Sequence, residues 1–554
     1  MVNILLIIWE RGVIYTFMYI TAVPNRNSPP AILLRESFRD GDKVRTRTLA
    51  NLTSWAPERI EALRRALKGE FDGCTGDPHP VCGPIFAVLF ALKQLAERVG
   101  LLQVLGSERW GKLVLFLILA RVAAQGSRLS AVRWATQHAM AETLGLKPFD
   151  EDDLYEALDR LAAEQQEIEE ALYRRIVRQR GGTPTVVLYD VTSSYLEGQQ
   201  NELAAFGYNR DKKVGKAQIV IGLLTTVEGE PLAVHVYEGN TSDPVTVPEQ
   251  VHTLRTRFGI TELVFVGDRG MVKAKGKSAL RTAGFRYITA LTIPQVRRLL
   301  QTQVLRTEWF TTHVYEVQHG AVRLILRRSE ALRQQAARRR ADKVHTLQSL
   351  ITARNAFVET AKRAKPEAGL RTMQTWVKRH KLDAFVHITL HEGHLLATLD
   401  TAAQAEATVL DGCYVLETDV PPTALDAATV HDRYRDLHEV EQDFRTMKTG
   451  LLEVRPIFVR KAPRTRAHVL VTMLAVKVVR EMRRALVAAF GTTDDDKMAV
   501  TVEDALVALA RLCLLTSHVQ DTAVTYLPTP DERQEAILQA LGTPLPTTRS
   551  RRKM

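Results

Sequence analysis

The stretch Thr185–Asp190, TVVLYD, is the part of the sequence that decides the fold. Its β-branched and aromatic residues are typical of a buried strand, and the run ends in a carboxylate. A second apolar run, Glu262–Gly267 (ELVFVG), leads in the same way to Asp268. We therefore predict two buried strands that each deliver an aspartate at the strand end.

The segments around these two runs complete a mixed pattern of strands and helices. Further predicted strands are Ala217–Val227, Pro231–Tyr237 and Tyr287–Leu291, and predicted helices are Val247–Phe258 and Lys273–Ala283. Three strands, a helix, a strand, a helix and a strand form an α/β pattern in the order of the RNase H-like fold. We predict an RNase H-like catalytic core, a mixed five-stranded sheet with helices, that carries a large insertion and follows an N-terminal β-hairpin and helical region.

The rest of the chain is predicted to surround this core. Asp40-Gly41, between the runs Ala31–Phe38 and Lys43–Leu52, is a strong hairpin signal. Single helices are predicted over Asp150–Arg178 and 424–449, further helices over 57–150, 465–487 and on to about residue 520, and a disordered tail over Thr547–Met554. The predicted divisions are a dispensable start from an upstream codon (1–17), an N-terminal hairpin and helical DNA-binding region (18–180), the first part of the core (181–294), an insertion with a basic helix (295–410), the second part of the core (411–490), and C-terminal helices with a basic tail (491–554).

The charge of the chain indicates a polyanionic partner. Its 554 residues carry a formal net charge of +12, which favours nucleic acid or an anionic membrane. The apolar start Asn3–Trp9 is too short to span a bilayer, so a membrane role has no support. Arg327–Lys365, with 11 Lys or Arg against three Asp or Glu, is the best candidate for contact with a phosphate backbone. A solvated helix of the insertion is the alternative, since charge runs usually lie on the surface.

The four cysteines do not form a pattern that indicates a disulfide framework, and their number suits a reducing cytosol. Cys74, His79 and Cys82 lie close together in sequence and raise the question of a zinc site. They lack a second pair of ligands, and the stretch is rich in proline. A loop with incidental cysteines is the preferred interpretation.

Strand-end carboxylates suit the cleavage of phosphodiesters without a protein nucleophile. That chemistry uses two divalent metal ions, which carboxylate and phosphate oxygens hold well. Asp190 and Asp268 end strands that are neighbours in the predicted fold, so their carboxylates are expected to lie close together. Considered singly, each is as well explained as a strand-end aspartate that caps the following turn.

A third group of candidates lies on the predicted helix that contains Tyr434–Lys448, YRDLHEVEQDFRTMK. Tyr434, Glu441 and Lys448 recur every seven residues, nearly two helical turns, so they project from one face. Tyr, Glu and Lys make a poor hydrophobic core but a good surface for handling phosphate. The alternative is a solvated face on which the spacing is a coincidence.

These motifs resemble the DDE transposases of bacterial insertion sequences, in the IS-four superfamily. Their signature is Tyr, two residues, Arg, three residues, Glu, six residues, Lys; here Leu437 occupies the Arg position, as in a subgroup whose helix reads VEQDFRTMK. DVTSSYLEG, VGDRGM, DGCYVLET and the N-terminal run Pro24–Leu52 are similar to the same family. The resemblance implies Asp190, Asp268 and Glu441 as catalytic metal ligands. It also implies DNA contacts by Tyr434, Lys448, Arg445 and Arg269, with Arg445 or Arg435 in place of the missing arginine.

The resemblance further implies a transposase that catalyses metal-dependent DNA strand cleavage and strand transfer at insertion-sequence ends. Expected cofactors are two Mg²⁺ ions, for which Mn²⁺ can substitute. Expected partners are double-stranded DNA, as terminal inverted repeats and target, and a second copy of the chain in the synaptic complex; the expected location is the cytoplasm, at the nucleoid. Two alternatives stay open: an RNase H-like nuclease not tied to transposon ends, and a non-catalytic DNA-binding protein derived from a transposon.

Overall fold

The computed structural model describes residues 5–8, 13–25, 29–40, 43–69, 80–198, 200–211, 213–361, 365–448, 450–454, 459–493, 497–519, 522–546 and 549–553. Contacts divide the chain into two compact units. Unit 1 comprises Met1–Val88 and Val507–Met554, and unit 2 comprises Leu89–Leu506. The predicted boundary at residue 180 therefore falls inside unit 2.

Unit 1 begins with an antiparallel sheet. Its strands, in sheet order, are β1 (Leu5–Ile8), β2 (Val13–Val23), β3 (Ala31–Asp40) and β4 (Lys43–Asn51). The hairpin prediction is confirmed by the pairing of β3 with β4, although Gly41 lies outside the described residues. Helix α1 (Pro57–Leu67) and strand β5 (Val81–Ile85) follow.

Helices dominate the first part of unit 2. They are α2 (Ala87–Arg98), α3 (Leu101–Leu105), α4 (Arg109–Ala123), α5 (Arg128–Ala135), α6 (Met140–Leu144), α7 (Glu151–Ala163) and α8 (Gln165–Arg180). The single helix predicted over Asp150–Arg178 is wrong, because the backbone leaves helical geometry at Glu164. Beyond the break, Gln165 and Glu169 of α8 form hydrogen bonds with the backbone of Val234, which belongs to the sheet described below.

Among the described residues, no single helix has the length and apolar character needed to cross a membrane. Helices α4 and α5, bent by 93° relative to each other, reach that length and composition only when they are taken together.

The central sheet confirms the predicted RNase H-like core. Its strands are β6 (Val186–Tyr195), β7 (Gln218–Thr226), β8 (Pro231–Glu238), β9 (Val264–Gly267) and β10 (Arg286–Ala290), with helices α9 (Asp243–His252) and α10 (Ala274–Thr282) between them. The spatial order is β8-β7-β6-β9-β10. The first three strands are antiparallel, whereas β9 is parallel to both β6 and β10. Apolar residues of β6, β9, α9 and α10 pack into one core.

Strand β6 is longer than predicted, so Asp190 does not end it. Pairing with β7 continues through Asp190↔Leu223 to Tyr195, because the residues after Asp190 are also mostly buried and of strand-forming type. The parallel pairing with β9, however, stops at Tyr189↔Gly267. Asp190 and Asp268 are thus the first residues beyond that pairing on two adjacent strands.

The sheet is wider than the five strands predicted. The next elements are α11 (Ile293–Gln301), β11 (Tyr315–His319), β12 (Val322–Arg328), α12 (Glu330–Thr360), α13 (Pro366–Arg379), β13 (Val386–His391), β14 (His394–Leu399), α14 (Thr401–Thr408) and β15 (Cys413–Thr418). Strands β15, β12 and β11 extend the sheet beyond β10 to eight strands. The start of the predicted insertion therefore belongs to the main sheet, while α12, α13, β13 and β14 share a small core of their own.

The helices that complete unit 2 differ from prediction at one point. They are α15 (Ala427–Arg435), α16 (Leu437–Lys448) and α17 (Ala462–Phe490). One helix was expected over 424–449, but it is divided at Asp436, so Tyr434 lies on α15 while Glu441 and Lys448 lie on α16. The apolar helix expected over 465–487 is confirmed as the largely buried α17.

The C-terminal segment is not helical to residue 520, nor is its tail without structure. After α18 (Val502–Leu509) come β16 (Cys513–Val519), β17 (Thr522–Tyr526), α19 (Glu532–Ala540) and β18 (Arg549–Lys553). The sheet order β18-β17-β16-β5 joins this segment to β5 within unit 1. The β-branched residues of CLLTSHV and TAVTY favour strands, and β17 offers the tail an edge with which to pair.

Candidate active site

Three carboxylates from separate parts of unit 2 line one cavity of about 370 Å³. Asp190 comes from β6, Asp268 follows β9, and Glu441 lies on α16, which packs against β6. The end of the parallel pairing sets the two aspartates side by side, and the helix brings the glutamate to them. All three predicted catalytic residues therefore line one cavity, beside the point where the pairing of β6 with β9 ends.

The electrostatics of Asp190 reflect this crowding. Burial raises the pKa of its carboxyl to about 7, and the negative charges of Asp268 and Glu441 act in the same direction. A hydrogen bond from the Val191 backbone and the charge of Arg210 oppose the rise without cancelling it. Burial is the largest of these causes, and the two neighbouring carboxylates add to it.

The donor set fits a hard divalent cation. Carboxylate oxygens are the ligands that magnesium prefers, and one or two of them suffice where waters and substrate phosphates complete the shell. A bound cation would offset the burial and the neighbouring negative charges that raise the pKa of Asp190. Within the described part of the chain, no group of three or more His, Cys, Asp or Glu side chains is placed so that it could hold a metal ion by itself. The three carboxylates line a common cavity but do not form a complete coordination shell by themselves.

Tyr434 approaches the carboxylates from α15. Its hydroxyl donates a hydrogen bond to Asp268 Oδ1 at 3.1 Å, and burial together with the charge of Asp268 raises the pKa of the phenol, so it remains a donor. Tyr434, Asp268 and Glu441 also line a second cavity of about 500 Å³. The break at Asp436 therefore does not separate Tyr434 from the site.

Lys448 lies on the other side of Glu441. Its ammonium group donates to Thr192 Oγ1 at 2.9 Å and forms an ion pair with Asp211 Oδ1 at 2.7 Å. The Asp211 side chain is only 5% exposed, so the pair is shielded from water. Arg445 is exposed and lines the same cavity as Lys448.

The loop between β6 and β7 supplies site residues that the sequence analysis missed. Arg210 and Asp211 line the cavity of the three carboxylates, as does Asp243 at the start of α9. Arg210 Nη2 donates to Asp243 Oδ1 at 2.5 Å, which fixes the loop to the helix. The charged run NRDKK between two apolar strands is the signal in the sequence, but nothing local shows that the loop folds back over β6.

Residues 181–476, just over half of the chain, match the family described as the transposase DDE domain. The chain belongs to the DDE transposase family. Residues 20–77 match the IS1634 family transposase N-terminal domain, which confirms the predicted relation to insertion-sequence transposases. None of the curated proteins matches. A solved structure, the piggyBac transposase synaptic complex with hairpin DNA, is distantly similar, with 9% identity, a TM-score of 0.33, and coverage of 72% of this chain and 69% of that one.

As a DDE transposase, the chain is a DNA nuclease and strand transferase of transposition, and divalent metal ions support cleavage in this family. Its signature arginine is absent, and Leu437, which occupies that position, is buried. The same 500 Å³ cavity nevertheless carries cationic side chains, since Arg269 and Arg435 line it with Leu437.

Basic residues away from the two cavities have varied surroundings in this transposase. Arg340 of α12 pairs with Asp411, whereas Arg338 and Arg339 are exposed and form no salt bridge within the described ranges. Arg464 makes two hydrogen bonds to Asp159, at 2.8 and 2.7 Å, and so has a structural partner. Cys74 and His79, considered above for a zinc site, lie outside the described residues.

Proposed function

We propose that Asp190, Asp268 and Glu441 are the catalytic carboxylates with which this transposase cuts and joins DNA at insertion-sequence ends. The observation that carries the proposal is their convergence on one cavity from two strands and a helix. Burial raises the pKa of Asp190, and the negative charges of the two neighbouring carboxylates add to the rise. Such an arrangement is expected where a bound cation and a phosphate complete the site.

The three carboxylates would hold two Mg²⁺ ions, for which Mn²⁺ can substitute. When bound, the ions would activate a water or 3′-hydroxyl nucleophile and stabilise the leaving oxygen. The chain's own task is to hold its donor oxygens in place. Asp190 is fixed within β6, and the hydroxyl of Tyr434 orients Asp268.

The DNA backbone would contact basic side chains and the hydroxyl of Tyr434 on both sides of the carboxylates. Lys448 and Arg445 line the cavity of the triad, whereas Tyr434 and Arg269 line the neighbouring one with Asp268 and Glu441. Charged donors of this kind bind phosphate oxygens strongly. We propose these four residues as DNA-binding residues.

The wider assignments follow from the same function. We propose that the DNA is double-stranded, with terminal inverted repeats and a target site, and that two copies of the chain act together when two ends are joined. The N-terminal region 18–180 would read the ends, and the basic helix α12 would contact the backbone, supported by the exposed Arg338 and Arg339. The protein would act in the cytoplasm on nucleoid DNA.

Cleavage of a transposon-end duplex by the purified full chain tests the proposal. With Mg²⁺ present, the wild type is expected to nick the duplex at the end. Asp190→Asn, Asp268→Asn and Glu441→Gln are each expected to abolish cutting while DNA binding changes little, because each removes a metal ligand and not a phosphate contact. Glu439→Gln is the matched control, since Glu439 is on the same helix but pairs with Arg480.

A comparison of transposon-end duplexes with unrelated duplexes separates this function from the alternatives. Equal cleavage of end and unrelated duplexes would identify a nuclease not tied to transposon ends. End-specific binding without Mg²⁺- or Mn²⁺-dependent cleavage would identify a non-catalytic DNA-binding protein. Cleavage that survives all three carboxylate substitutions would refute the assignment of the active site.

A further inference from the structure

Unit 1 holds two cysteines side by side on strands that are far apart in sequence. Cys82 of β5 and Cys513 of β16 are both free thiols, and the two strands pair antiparallel. The register shifts between Cys513 and Leu515, and the Sγ atoms of Cys82 and Cys513 are 2.7 Å apart. A disulfide needs a separation of about 2.05 Å, so a small side-chain movement would join the two sulfurs.

The surroundings give the two thiols different chemical roles. Cys82 is exposed, so a soluble oxidant reaches its sulfur, whereas Cys513 is only 9% exposed. Burial and the neighbouring Cys82 thiol raise the pKa of the Cys513 thiol. The strands approach closely beside the pair, since a Cβ on Gly83 would lie 2.9 Å from the carbonyl oxygen of Leu514.

We propose that Cys82 and Cys513 form a reversible redox modification site, which hydrogen peroxide converts to a disulfide. Attack of the Cys82 sulfur on peroxide breaks the O–O bond and gives a sulfenic acid and water. Attack of the Cys513 sulfur on this sulfenic acid forms the S–S bond and releases the hydroxyl as a second water, which takes up the Cys513 proton. Two thiols and one peroxide thus give one disulfide and two waters, and cellular thiols reverse the reaction by exchange.

The cross-link would close a very long loop. All of unit 2, Leu89–Leu506, lies between the two cysteines in sequence, so the disulfide restricts the unfolded chain strongly. The oxidised protein is therefore expected to unfold at a higher temperature than the reduced protein. The carboxylate site in unit 2 contains neither cysteine.

The test uses the full chain, reduced, desalted and then treated with an equimolar amount of hydrogen peroxide. The titratable thiols are expected to fall from four to two, and a non-reducing peptide map is expected to contain one cross-linked pair with Cys82 and Cys513. The thermal midpoint is expected to rise by several degrees and to return after treatment with dithiothreitol. Cys82→Ser, a change at an exposed position, is expected to remove the cross-link and the rise in midpoint.

Cys413→Ser is the matched control, because Cys413 belongs to unit 2, and it should leave the cross-link intact. Four remaining thiols, over-oxidation of Cys82 to a sulfinic acid, or pairing of Cys82 with Cys74 would overturn the proposal. So would one tightly held zinc ion per reduced chain that is lost in Cys82→Ser, since the two sulfurs would then be metal ligands.

Discussion

The two faces of α16 carry the same kind of side chain in opposite situations. Glu441 is exposed and lines the cavity shared with Asp190 and Asp268. Glu439 and Asp443, each two residues away, instead accept hydrogen bonds from Arg480 of α17 at 3.0 and 2.9 Å. The partly exposed Arg480 holds two helices together through these carboxylates, whereas Glu441 faces other carboxylates, forms no salt bridge with any residue that the structure describes, and suits a cation from solution.

The largest contrast is expected between Glu441→Gln and Glu439→Gln. Loss of a metal ligand should lower the rate of cleavage by about 10³-fold or more, roughly 4 kcal/mol of activation free energy. Glu439→Gln should retain nearly the wild-type rate. Gel assays of end cleavage at saturating Mg²⁺ measure both rates, and equal losses in the two variants would contradict the distinction between the faces.

Arg480→Ala tests the face of α16 that carries Glu439 and Asp443. It removes the charged hydrogen-bond partner of the buried Asp443, which should reduce the free energy of unfolding by about 3 kcal/mol at pH 7.5. Burial raises the pKa of Asp443 to about 7, so this carboxyl becomes neutral as the pH falls below 7, and the loss should then shrink. Urea unfolding at pH 7.5 and pH 5.5 measures the change. A loss that is greater at pH 5.5 would contradict the role of Asp443.

A smaller effect is expected at the contact between Lys448 of α16 and Asp211 of the β6–β7 loop. Lys448→Ala should weaken binding of an end duplex by about 1.5–3 kcal/mol, since a charge-assisted contact to phosphate is lost. Asp211→Asn should change binding less, because it keeps an oxygen that can accept from Lys448. Fluorescence anisotropy at several salt concentrations measures both variants, and tighter binding by Lys448→Ala would contradict a phosphate contact.

Glu439→Gln is expected to have the smallest effect on stability. Arg480 keeps Asp443 and the carbonyl of Glu228 as acceptors, so only part of its hydrogen bonding is weakened. The expected loss is about 1 kcal/mol of unfolding free energy. A loss as large as that of Arg480→Ala would show that Glu439, and not Asp443, is the main partner.

Local patterns in the sequence predict those parts of this site that the sheet delivers directly. The apolar runs before Asp190 and Asp268 form adjacent strands, and the heptad spacing of Glu441 and Lys448 survives on α16. The sequence around Asp436 contains no proline or glycine that would predict the break between α15 and α16. Arg210 and Asp211 reach the cavity because a loop folds back across β6, and Cys82 meets Cys513 from the other end of the chain; both depend on tertiary contacts that no local pattern contains.

A change in the metal preference of the enzyme tests most directly whether Glu441 of α16 binds a metal ion. Glu441→Cys replaces an oxygen ligand by sulfur, which binds Mg²⁺ poorly and Mn²⁺ better. End cleavage by this variant is expected to be lost in Mg²⁺ and partly restored in Mn²⁺, while Glu439→Cys should cleave in both. Equal activity of Glu441→Cys with the two metals would contradict Glu441 as a metal ligand.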